Sequence, residues 1–177
     1  MSEQRLSDLQ RAIRNLVYNR AATIPEDRVE ISEGMRSRSD LRPEEGGDDR
    51  ILILQLIPLK PEFCPIEFYV GPEDYRVEYG KFTGREFHHW MLQPVVQPTS
   101  YVEVAEDYLE AVVNGKVIET VRTRHGRIVR RSSVLYLSTG PFRFVSYDRM
   151  VDDWLSRMFR DWNDQEIVYK SYSILRE

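Results

Sequence analysis

An α+β fold of antiparallel meander sheets packed against about three helices, in the order α-ββββ-α-βββ-α-β, is what this sequence predicts. Three observations carry that prediction. Apolar residues recur at three- and four-residue spacing in separate stretches, which is the helical period. Between those stretches, strand-like runs follow one another through short turn sequences, which favours hairpins over crossover helices. Finally, 177 residues with 41% hydrophobic content are enough for a single core, so one domain spanning 1–177 is expected.

The elements follow in order. Leu6, Leu9, Ile13, Leu16 and Val17 form one apolar stripe and predict a helix over about 3–20, with Ser2 as its cap and Glu3 placed where the helix dipole favours an acid. Ile24-Pro25 ends it, because the residue before a proline is steered away from helical geometry. A polar, acidic stretch follows, with a short strand or turn at 30–38, and reads as a mobile loop over about 26–49. Arg50 to Ile57 is β-branched and ended by prolines, Pro65 to Val70 and Tyr75 to Tyr79 flank the turn Gly71-Pro72-Glu73-Asp74, and Arg85 to Leu92 completes a four-stranded meander.

Ser100-Tyr101-Val102-Glu103 is a capping box opening a second helix with Val102, Ala105, Leu109, Val112 and Val113 on one face and Asn114-Gly115 as a left-handed exit. Lys116 to Thr123 and Ile128 to Ser138 pair around Arg124-His125-Gly126-Arg127, and Phe142 to Tyr147 adds a third strand. Asp148 caps a third helix whose stripe is Val151, Trp154, Leu155, Met158, Phe159 and Trp162, and Glu166 to Leu175 closes the chain as a strand.

Charge narrows the function. The 25 basic and 29 acidic side chains leave −4 overall, a poor starting point for a nucleic-acid binder, whose affinity comes mostly from phosphate attraction. The acids are concentrated: Glu26 to Arg50 holds nine of them against five arginines, a surplus equal to that of the whole chain. Glu44, Glu45, Asp48 and Asp49 form its densest part and are candidate partner-binding residues. The opposite pole is Arg122, Arg124, Arg127, Arg130 and Arg131, a candidate site for a partner or anion, since guanidinium forks suit carboxylate and phosphate. Poles of opposite sign steer association with a charged partner.

Catalytic signatures are missing: there is no phosphate-cradling GxGxxG or GxxxxGK[ST] and no GxSxG elbow. Glu86, His88 and His89 are the best constellation for acid–base or metal chemistry, but only three histidines exist, and aromatic-like packing within Phe87-His88-His89-Trp90 explains them as well. Cys64 lies between Phe63 and Pro65 and reads as a buried small hydrophobe. Trp162, beyond the strongest periodicity of its stripe, is a candidate interface aromatic. No apolar run reaches the ~18 residues of a membrane helix, the N-terminus lacks the apolar core of a secretion signal, and a single cysteine fits a reducing cytoplasm.

The expected function is therefore non-enzymatic protein binding in the cytoplasm, with no cofactor, no metal and no catalytic residue. A stoichiometric inhibitor of the bacterial toxin–immunity type, binding a basic toxin, fits best, and a chaperone or adaptor is the near relative of that reading. The alternatives are a small enzyme or ligand-binding domain built on Glu86, His88 and His89, and a nucleic-acid accessory protein built on the arginine hairpin.

Overall fold

A computed structural model describes residues 6–38, 50–80, 101–124, 127–138, 140–147 and 163–172. Helix α1 spans Asp8–Ala21 and is capped by Ser7, five residues beyond the serine that the sequence pattern suggests. The Ser7 hydroxyl accepts from the Gln10 amide at 3.1 Å and Gln10 Oε1 accepts from the Ser7 amide at 3.0 Å, a reciprocal box. Gln10 does further work. Its side-chain nitrogen donates to the carbonyls of Arg50 at 2.8 Å and Val70 at 3.0 Å, so one buried amide both caps the helix and seats it on the sheet. Ile13 and Val17 are fully buried beneath it, as their spacing requires.

Strands β1 (Val29–Ser37), β2 (Arg50–Pro58), β3 (Ile66–Val70) and β4 (Tyr75–Tyr79) form the first antiparallel sheet in that spatial order. Strand β1 corrects the reading of a mobile loop over 29–37, where the sequence offered only a short strand or turn at 30–38: it pairs with β2 along its whole length, from Val29 opposite Pro58 to Ser37 opposite Arg50, while 39–49 lie outside the described residues. Its charges weaken the period-two pattern, and the structure accommodates one of them directly, because Glu33 accepts from Arg14 Nε at 2.8 Å and the Tyr18 hydroxyl at 2.9 Å. In β3 and β4 the expected alternation holds, with Ile66, Phe68, Val70, Tyr75, Val77 and Tyr79 all buried. The expected strand at 85–92 lies outside the described residues.

Helix α2 spans Tyr101–Val113 and leaves through Gly115 at φ 68°. A Cβ there would lie 2.6 Å from the Lys170 carbonyl carbon and the Ser171 nitrogen, so both conformation and space demand glycine. Strands β5 (Val117–Arg124), β6 (Arg127–Leu137), β7 (Gly140–Tyr147) and β8 (Asn163–Val168) form the second antiparallel sheet, in the spatial order β7-β6-β5-β8. The expected third helix at 148–162 also lies outside the described residues.

The last strand ends at Val168 instead of continuing to Leu175, because the chain turns to join the halves of the molecule. The Lys170 amide donates to the Glu62 carbonyl, and the Tyr172 amide to that of Val113. Tyr172 stacks on Phe63 with ring centroids 4.8 Å apart, and its hydroxyl donates to the Cys64 carbonyl at 2.7 Å. Arg20 Nε and Glu110 join α1 to α2 at 2.8 Å, and Tyr79 and Ser133 hydroxyls meet at 3.0 Å between the two sheets. One contiguous apolar cluster draws on both helices and both sheets.

Candidate functional site

The β5–β6 hairpin holds the strongest charge anomaly of the sequence. Along β5, Val117, Glu119 and Val121 are buried while Ile118, Thr120 and Arg122 are half-buried, so the strand has a core side and an outer side. Backbone register then sorts the arginines. Arg122 pairs with Arg130 and Arg124 with Arg127, with a β-bulge at Arg122/Thr123 that leaves Val129 unpaired. Paired positions lie about 4.5–5.5 Å apart and successive pairs about 7 Å apart along the strand, so two opposed arginine pairs sit within one small rectangle. Arg131 instead pairs with buried Val121. The sequence grouped five arginines; the register brings four together and sets Arg131 one step out of phase.

Strand β8 places Asp164 opposite Arg122 and Glu166 opposite Thr120, acids that lie far from the hairpin in sequence. On the other flank, β7 places Arg143 opposite Val134 and Tyr147 opposite Arg130.

The outer side changes character away from the hairpin end. Thr120 pairs with Ser132, then Ile118 with both Val134 and Val168, and Tyr136 with Pro141. Tyr136 and Val168 are 44% and 60% exposed, and Pro141 is exposed as well. Arginine positions, hydroxyls and apolar side chains therefore follow one another along a single sheet face.

Of the other candidates, Glu44, Glu45, Asp48, Asp49, Trp162, Glu86, His88 and His89 lie outside the described residues. The acids that precede them are partly engaged. Glu33 is bound by α1, and Asp27 accepts from Lys60 at 3.1 Å, a contact that holds its carboxyl below the usual range. Among the described residues, no group of three His, Cys, Asp or Glu is placed to hold a metal ion.

Sequence reasoning missed Glu119. It is 1% exposed, and its carboxylate accepts from the Tyr169 hydroxyl at 2.5 Å. The signal was present, since Glu119 falls in phase with Val117 and Val121. Nearby Cys64 is also fully buried, and burial, reinforced by the negative charge of Glu119, pushes its thiol well above the ordinary range. A neutral thiol shut away from solvent is no nucleophile, so this cluster serves the interior.

No protein-family model, curated protein or solved structure matches the chain. Among the described residues, no helix is long and apolar enough to cross a membrane.

Proposed function

We propose that this chain is a non-enzymatic, cytoplasmic protein-binding domain that holds a single partner stoichiometrically, as an inhibitor of the toxin–immunity type or a chaperone or adaptor does, and that it engages the partner through the outer face of its second sheet. One observation carries the reading: the opposed pairs Arg122/Arg130 and Arg124/Arg127 concentrate positive charge in a chain that is acidic overall. Guanidinium groups bind carboxylates through charge-assisted, often bidentate hydrogen bonds, which suits an acidic partner. The acids of 44–49 give the same molecule a pole of opposite sign, suited to the basic part of a toxin and to rapid association.

Nucleic acid is the second reading, since opposed arginines on a β-ribbon can also grip phosphates. Asp164 and Glu166, placed by register beside that ribbon, argue against it because they would repel a phosphate backbone. Capture from native lysate with tagged protein, washed at low and high salt and scored for both protein and nucleic acid, separates the readings. One near-stoichiometric protein is the expected result. Recovery of nucleic acid alone, lost at high salt, would transfer the site to the second reading.

A further inference from the structure

We infer that the outer edge of β1 is a self-association surface: two copies of this chain pair antiparallel through residues 30–36 about a two-fold axis at Glu33, joining their first sheets edge to edge. This surface is separate from the outer face of the second sheet and needs no foreign partner. Strand β1 stands at the end of the spatial order β1-β2-β3-β4, and among the described residues it pairs with β2 alone. None of its nine residues is buried, whereas Ile51, Leu52, Leu54 and Leu56 beside it in β2 all are. A strand paired on one side presents a row of amide and carbonyl groups to any second strand. Proteins blunt such edges with proline, lysine or a bulge, and β1 has none of these: Val29–Ser37 contains no proline or lysine, and its register with β2 runs without a shift. At the middle of the strand, a Cβ on Gly34 would meet nothing within 4 Å.

Charge selects the occupant. Glu30 and Arg36 are both exposed, lie on the same face of the strand, and make no side-chain hydrogen bond or ion pair among the described residues. Six residues of strand hold them about 20 Å apart, too far to pair within one chain. A parallel copy would set Glu30 against Glu30 and Arg36 against Arg36. An antiparallel copy centred on Glu33 instead sets Glu30 opposite Arg36 twice, with Cβ atoms about 4.5–5.5 Å apart. The same register places half-buried Ile31 opposite half-buried Met35, and Ser32 opposite Gly34. On the side facing α1 the two Glu33 carboxylates meet at the axis. Each already accepts from Arg14 Nε at 2.8 Å and the Tyr18 hydroxyl at 2.9 Å, so two guanidinium groups accompany them. Moving the axis to Ser32 would oppose Arg28 and Arg36, and moving it to Gly34 would offer Glu30 an Arg38 that Asp74 already holds at 2.9 Å. A second copy therefore supplies the complementary pattern by symmetry, in one register.

Sedimentation velocity on the full chain between about 1 and 300 μM reads the assembly. The parent should pass from monomer to twice the chain mass across that range. Arg36→Glu alone and Glu30→Arg alone each set like charges opposite each other at both ends of the pairing, and each should weaken the dimer at least tenfold. A one-to-one mixture of the two variants restores opposite charges at both ends and should dimerise with parental strength, as should the double variant Glu30→Arg, Arg36→Glu. Both positions are exposed, and unchanged circular dichroism and melting temperature at the lowest concentration confirm that each variant folds.

A parent that stays monomeric throughout would overturn the inference. So would a dimer that keeps its strength in both single variants, because its interface would lie elsewhere. A mixture that associates no more tightly than its components would also overturn it, since the Glu30–Arg36 register predicts recovery. Each of these results leaves the outer face of the second sheet untouched, so the failure of this surface and the failure of the proposed function are told apart.

Discussion

Removing the Tyr169 hydroxyl while keeping its ring tests how the second sheet is locked together. The hydroxyl donates to the Glu119 carboxylate at 2.5 Å, and the two residues are 2% and 1% exposed. A hydrogen bond to a charged group contributes about 1.5–3 kcal/mol, and in Tyr169→Phe the buried carboxylate loses this donor. In a domain of this size each kcal/mol moves the melting temperature by about 2–4 °C. The expected drop is therefore about 3–12 °C, read by circular dichroism at pH 7 and checked by urea midpoint at an unchanged m value. A cycle with Glu119→Gln should return a coupling of at least about 1 kcal/mol. Because Glu119 pairs with Ile167 of β8 and Tyr169 follows that strand, the bond also fixes the strand that lays Asp164 beside Arg122. A Tyr169→Phe protein melting within about 1 °C of the parent, with no coupling to Glu119, would refute this reasoning.

Three further outcomes are expected. Gln10→Leu leaves the Arg50 and Val70 carbonyls and the Ser7 amide without their partner, and should cost about 2–3 kcal/mol in urea unfolding, more than loss of a helix cap alone. Gly115→Ala meets both a left-handed backbone and the Lys170–Ser171 peptide, so it should lose about 2 kcal/mol or more in the same assay. Burial raises Cys64, Tyr79, Tyr108 and Tyr172 above ordinary values of 9.0 for the thiol and 10.0 for the phenols. The folded state then keeps protons that the unfolded state gives up, so stability is intact below about pH 9 and falls as pH rises, by up to about 1.4 kcal/mol per pH unit for each titrating group. Urea midpoints at pH 8, 9, 10 and 10.5 read that slope, and a flat profile would contradict it.

Much of the fold was legible because it rests on local rules. The period of Ile13 and Val17, the turn at Gly71–Asp74, the Asn114-Gly115 exit and the hairpin after Lys116 all fall where the pattern places them. Where sequence reasoning failed, a partner distant in sequence decided the outcome. Strand β1 carries charges that break the alternation, and only the fully paired neighbour β2 and the donors Arg14 and Tyr18 make Glu33 acceptable there. The cap moved from Ser2 to Ser7 because Gln10, three residues on, finds carbonyls at Arg50 and Val70 that helix rules do not contain. The C-terminal strand stopped early because Tyr172 has a ring and a carbonyl waiting at Phe63 and Cys64.

The candidate site divides in the same way. Charge clustering alone marked the arginine hairpin, but the sorting of Arg131 from the other four needed the register with Val121. Asp164 and Glu166 were invisible as neighbours because β8 reaches β5 from the far end of the chain. The apolar end of the face was equally hidden. Val168, Ile118 and Tyr136 belong to different strands, and each reads singly as an ordinary strand residue.

The most direct test of the binding face is affinity capture performed side by side with the parent chain and an Arg122→Glu, Arg130→Glu variant of equal melting temperature. The expected result is one protein retained near one-to-one by the parent and lost, or strongly depleted, from the variant. Retention of the same protein by both would contradict the assignment of binding to the outer face of the second sheet.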